Sequence, residues 1–165
     1  MKTNKLFRRI LTTSLMLIII LSGLAQATSA DTKQAPDAEF KSLIDRYYAA
    51  WSSMNLDNAA QFYAKDADLI FFDIAPLQYK GWEEYKEGVK KNFFATITSG
   101  KLTPNNDLKV IRQGDMACTI VTFHLSATPK AGGSMELDAR HTAIWEKRGG
   151  KWLIVHEHVS TPLPG

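Results

Sequence analysis

Apolar and polar residues alternate most strictly near the end of the chain, over Asp138–Ser160, which reads DARHTAIWEKRGGKWLIVHEHVS. Alternation of this period predicts two strands, Leu137–Lys147 and Trp152–Ser160, paired as a hairpin around Arg148-Gly149-Gly150. A three-residue loop with Gly150 in the left-handed region and a bulge beside it would place Lys147 opposite Lys151. Pairing then continues as Trp145 with Leu153, Ala143 with Val155 and His141 with Glu157. That register collects Ala139, His141, Ala143, Trp145, Leu153, Val155, Glu157 and Val159 on one face. It leaves Ile144, Trp152, Ile154, His156 and His158 on the other. A two-residue loop would slip the register by one and mix these sets, so the three-residue loop is the expectation.

Upstream the period changes from two to that of a helix. Phe40, Leu43, Ile44, Tyr47, Tyr48 and Trp51 make one broad apolar stripe behind Asp37, a suitable N-cap, with Glu39 in the first turn. A shorter helix is predicted over Asn58–Tyr63, a strand over Ala67–Asp73 ended by Pro76, and a short strand over Leu77–Lys80. Gly81–Phe94 carries a third helical pattern, with Trp82, Tyr85, Val89 and Phe93 on one side. From Lys101 the chain is β-rich, with strands expected at Leu108–Arg112, Met116–Thr128 and the two of the hairpin. Three helices followed by long antiparallel strands give an α+β fold with the helices on one face of the sheet.

The beginning of the chain follows a different rule. Lys2, Lys5, Arg8 and Arg9 head an apolar run, Ile10–Leu24, and Ala25 and Ala27 supply small residues for cleavage. Residues 1–27 are expected to be a cleaved signal peptide, with Ala30 as a second cleavage position, and residues 28–36 a flexible lead-in to a domain over 37–162. The protein would then be periplasmic or secreted. The alternative is an uncleaved anchor, for which the apolar run is short. The formal net charge of +3 belongs to this segment. Without it 16 basic residues face 17 acidic ones, a net of −1, so charge makes no case for a nucleic-acid partner. Cys118 is the only cysteine, which excludes an internal disulfide; it is expected to be buried and inert.

On the predicted inner face, His141 and Glu157 are ionisable groups among apolar ones, and each needs a partner. A carboxylate opposite an imidazole orients the ring, which suits a base or a hydrogen-bond donor; it also suits a purely structural pair. His156 and His158 share a face and have the spacing of metal ligands, yet they fall on the outer side of the hairpin, and no metal is assigned to them. No glycine-rich phosphate loop, nucleophile elbow or Cys-based zinc pattern is present, and no cofactor is expected. Trp152, Ile154 and Ile144 on the outer face predict a homodimer built on the sheet.

Thr142, Ile144, Trp145, Arg148, Gly150, Lys151, Trp152, Ile154, Val155, His156, His158 and Ser160 together resemble the nuclear-transport-factor-2-like superfamily. The likeness is to SnoaL-like domains and to the association domain of calcium/calmodulin-dependent protein kinase II. Tyr47, Trp51, Phe62, Tyr63, Asp68–Asp73 and Gly81 extend it upstream in the same order. The resemblance implies a cone in which a curved antiparallel sheet wraps a long helix and leaves a pocket between them. Its members include isomerases of the ketosteroid type, dehydratases, cyclases, transport adaptors and association modules, so fold alone does not carry a reaction. It implies an acidic proton carrier on the pocket side of an early element, for which Asp73 stands nearest. It also implies that His124 joins His141 in the pocket, where the kinase relatives carry arginines; Ala143 and Val159 stand at the other two such positions, which argues against an arginine cage for a carboxylate. Tyr47, Trp51 and Trp145 complete the expected ligand-binding set. Two functions follow as expectations: binding of, or proton chemistry on, a small apolar or weakly polar molecule, or a non-catalytic dimerisation module.

Overall fold

Asp37 caps the first helix as its sequence requires, its carboxylate accepting the Glu39 N–H at 3.0 Å. A computed structural model of the chain describes residues 37–163; the expected signal peptide and lead-in lie outside the described residues. Helix α1 (Ala38–Ser52) buries Phe40, Leu43, Ile44, Tyr47, Tyr48, Ala50 and Trp51, the whole predicted stripe. Helix α2 (Leu56–Ala60) starts two residues earlier than expected, because Asn55 accepts the Asp57 N–H and caps it. Strands β1 (Ile70–Phe72) and β2 (Tyr79–Lys80) pair as a short antiparallel arm leading into α3 (Gly81–Val89). The predicted third helix does not run unbroken to Phe94: Lys90–Phe94 form a π-helical turn. Such turns insert a residue into the helical ladder and often mark functional positions.

Five further strands follow: β3 (Ile97–Pro104), β4 (Lys109–Gln113), β5 (Met116–Pro129), β6 (Met135–Arg148) and, after the hairpin loop, β7 (Lys151–Ser160). The spatial order is β2-β1-β7-β6-β5-β3, with β4 pairing the first half of β5 while β3 pairs the second. The sheet is mixed rather than wholly antiparallel, because β1 lies parallel to β7, Phe71 opposite Glu157.

The terminal hairpin departs from the expected register, and the departure positions the site. Arg148 pairs with Lys151, so the loop is the two residues Gly149 and Gly150, with φ of 56° and 80°. Two consecutive left-handed residues are what a type I′ turn requires, and its twist matches that of the strands it joins. Trp145 then pairs with Ile154, but Ile144 pairs with His156, leaving Val155 as an extra residue in a bulge. The bulge reverses the alternation once. Trp152 and Ile154 before it, and Glu157 after it, all turn inward with Trp145, Ala143 and His141.

Trp152 and Ile154 are therefore core residues, not outer-face ones. Trp152 packs on Phe40 with ring centroids 5.0 Å apart and donates its indole N–H to Glu39 at 3.0 Å. Ile154 is fully buried and bonds through its backbone to Phe62 and Ala64. Full burial of such side chains contributes roughly 1.5–3 kcal/mol each. Cys118 lies on the outer face, half-buried, where partial burial pushes its thiol pKa up.

Candidate functional site

The inner face of the sheet, α1, α3 and the π-helical turn enclose a cavity of about 310 Å³. Its floor is aromatic: Tyr47, Tyr48 and Trp51 from α1, and Tyr85 from α3. Leu102, Phe123, Leu125, Leu137 and Val159 form an apolar wall from the sheet, and Phe93 and Asn92 come from the π-helical turn. Asp73, Ile74 and Ala75, on the connection between β1 and β2, form the remaining side.

Asp73 has one assigned hydrogen-bond partner, the Ile74 N–H at 2.7 Å. Burial pushes its carboxyl up to about 6; the Ile74 N–H and His141 act against that shift, and the charge of Glu157 adds to it. Tyr79 holds the connection that carries Asp73. Its hydroxyl donates to the Ala75 carbonyl at 3.0 Å and accepts from Asn92 Nδ2 at 3.2 Å. Its ring lies where a Cβ on Gly88 would stand, only 2.0 Å from that position, so α3 needs glycine there.

Glu157 is fully buried behind this cavity and does not line it. Its charge is compensated by phenols. Tyr63 donates to it at 2.9 Å, Tyr85 makes a short bond to Oε1, and the Tyr47 hydroxyl lies 3.1 Å from Oε2 and 3.0 Å from that of Tyr63. Burial alone would raise the Glu157 pKa, but His141 and the hydroxyls of Tyr85 and Tyr63 outweigh it and hold the carboxyl below its ordinary value. Burial, together with the charge on Glu157, raises the pKa of Tyr47, Tyr63 and Tyr85 well above that of a free phenol, which keeps them as donors.

His141 does meet Glu157, with Nε2 3.3 Å from Oε2 but off the hydrogen-bonding direction. They meet across the bulged register, since His141 pairs along the strand with Val159 and Glu157 with Ala143. The other ring nitrogen, Nδ1, lies 3.0 Å from the Tyr48 hydroxyl, and the ring stacks on Tyr47 at 5.3 Å. His141 lines the cavity with Nδ1 hydrogen-bonded to Tyr48 and Nε2 beside the Glu157 carboxylate but without a well-directed hydrogen bond.

Of the expected site residues, the structure brings Asp73, His141, Tyr47 and Trp51 to one cavity and sets Glu157 directly behind it. It does not bring His124 or Trp145. His124 projects from the outer face, half exposed, bonded to Asp138 at 2.8 Å and Glu136 at 2.7 Å. The strand alternation turns it away, because its neighbours Phe123 and Leu125 take the inner positions. Trp145 is fully buried between Phe40 and Tyr47 and donates its indole N–H to Thr119 at 2.9 Å. His156 spends Nδ1 on the Ile70 carbonyl at 2.7 Å, and among the described residues no group of three His, Cys, Asp or Glu is placed to hold a metal. Tyr63, Tyr79, Tyr85 and Asn92 were not foreseen as polar members of the site. The signal for two of them, Tyr63 and Tyr85, was the buried acid itself, which demands donors, in a chain whose tyrosines fall on predicted buried positions.

The SnoaL-like domain family matches residues 41–164 of the chain. No curated protein sequence matches it. Among solved structures, a nuclear transport factor 2-like superfamily protein from Salmonella enterica serovar Typhimurium is similar at 20% identity and TM-score 0.66, over 76% of this chain and 90% of that one. A putative calcium/calmodulin-dependent protein kinase II association domain from Xanthomonas campestris is similar at 26% identity and TM-score 0.65, over 78% and 93%. A putative dehydratase of the same superfamily from Streptomyces avermitilis is similar at 16% identity and TM-score 0.67, over 78% and 98%.

Proposed function

The chain belongs to the SnoaL-like domain family, and we propose that its cavity binds a small, largely apolar molecule from which Asp73 accepts a proton, as in lyase or isomerase chemistry. One observation carries this reading: Asp73 faces an apolar cavity with a pKa of about 6, close to the value that serves a general base near neutral pH. Tyr48 and His141 supply the polar end opposite the apolar wall. Glu157 is assigned a positioning role, orienting the Tyr47, Tyr63 and Tyr85 hydroxyls and the His141 ring from behind. The similarity to a putative dehydratase is compatible with proton chemistry but, at 16% identity, speaks to fold alone. The basic, apolar N-terminus makes this an exported activity in the same proposal.

Solvent exchange tests it. Small aryl ketones incubated with the protein in deuterated water should lose their α-protons, at a rate that rises with pH through about 6 and then levels. Asp73→Asn should lower that rate by about 100-fold or more with the fold intact by circular dichroism. Binding without exchange would leave a ligand-binding protein; neither binding nor exchange would remove the cavity from consideration and favour the dimerisation module.

A further inference from the structure

The charge around the cavity is one-sided. Among the described residues that line it there is no lysine and no arginine, whereas Asp73 faces it and the Glu157 carboxylate lies 3.3 Å from His141 Nε2, behind the ring. A proton on His141 would offset one of those two negative charges and leave the other. The rest of the lining includes Trp51, Tyr79, Tyr85, Phe93 and Phe123, whose ring quadrupoles present further negative density to anything they surround. An anion entering this space would meet the Asp73 carboxylate, with Glu157 behind His141, and no cationic side chain of the described residues. A cation would meet both electrostatic attraction and aromatic walls.

We infer that the molecule bound in the cavity carries a positive charge, an ammonium or quaternary nitrogen on a compact apolar body, with Asp73 as its counter-ion. This rests on the cavity being the ligand site, as proposed above, and narrows the ligand to one chemical class. The raised pKa of Asp73 agrees with it: burial disfavours the carboxylate and Glu157 adds to the shift, and a cation beside it would favour the charged form. A positive nitrogen also acidifies the C–H bonds beside it, so the class is compatible with Asp73 as proton acceptor.

Three probes of similar size separate the possibilities: phenyltrimethylammonium, its neutral isostere tert-butylbenzene, and benzoate. Binding is read from the indole N–H resonance of Trp51 in the cavity wall. At pH 8 the ammonium should bind about tenfold tighter than tert-butylbenzene, and benzoate should not bind. The preference should shrink at pH 4.5, as Asp73 protonates. Asp73 is faced by Glu157 from β7, His141 from β6, Tyr79 from β2 and Tyr85 from α3, so the variant decides which group carries that change. In Asp73→Asn the preference should be weak at both pH values; a variant that keeps the full pH-dependent preference would overturn the assignment of Asp73 as counter-ion. Equal or tighter binding of tert-butylbenzene to the native protein would overturn the charge of the ligand while leaving the cavity as an apolar site. Failure of all three to bind would overturn both readings.

Discussion

At the scale of single residues, Glu157 is the group on which the interior depends. A buried carboxylate is tolerated here because three phenols and an imidazole surround it, and removing its charge leaves those donors without their acceptor. Glu157→Gln keeps the volume but replaces one of the two acceptor oxygens with an N–H donor, so fewer of the phenols can donate to it. The variant should lose about 3 kcal/mol in urea unfolding at pH 7. The pH dependence follows from the direction of the shift. The folded pKa lies below the unfolded value of about 4.5, so the carboxylate's contribution is complete above that pH and is lost as pH falls through the folded pKa. Native protein and variant should therefore converge in stability under acid. A constant gap down to pH 2 would mean that the cost of the substitution is steric rather than electrostatic. The phenols work in the opposite direction: their raised pKa values predict a loss of stability as pH rises beyond about 10.

At the scale of elements, the bulge at Val155 decides which side chains of β7 enter the core. Before it, even-numbered residues Trp152 and Ile154 point inward; after it, odd-numbered Glu157 does. Deleting Val155 would remove the extra residue and leave Trp152, Ile154 and Glu157 inward in unbroken alternation, with His156 and His158 still outward. With Val155 present, an unbulged ladder would instead turn His156 and His158 inward and Glu157 outward, and the bulge prevents this. The deletion is therefore expected to keep a cooperative thermal transition, and it and Val155→Ala should each shift the midpoint by only a few degrees. A deletion variant without a cooperative transition would show that more than the facing of the side chains depends on the bulge. The glycine pair in the loop is the local cause. A two-residue type I′ turn sets the pairing next to it, and the bulge absorbs the residue left over.

At the scale of the whole molecule, the homodimer expected from the sequence remains a proposal, with different residues beneath it. Ile154 cannot lie at the centre of a contact, since it is fully buried in the core. The outer face instead presents Ile144 with Ile111, Met116 and Ile120, the last three 54%, 43% and 42% exposed, beside Phe72 and the edge of His156. Apolar groups among hydrogen-bonding ones suit a contact between two copies. Ile120→Lys should turn a dimer into a folded monomer in light scattering. Native protein that is already monomeric at micromolar concentration would end the proposal.

Periodicity alone determined the helices, the long strands and the α+β class, because the stripe from Phe40 to Trp51 and the alternation along β5 and β6 are local consequences of burying one face. It also marked His141 and Glu157 as groups needing an explanation, while Asp73 was pointed to by the family resemblance. The sequence did not show where β7 changes face, because the bulge repays its cost only through contacts far away in the chain: Ile154 with Phe62 and Ala64, and Trp152 with Phe40. Nor did it separate His124 from His141, two histidines on neighbouring strands that point to opposite faces. Tertiary structure decided those matters, and with them the site. The side chains that surround Glu157 come from α1, the segment before β1, α3 and β6, and only the closed core brings four such distant positions to one carboxylate.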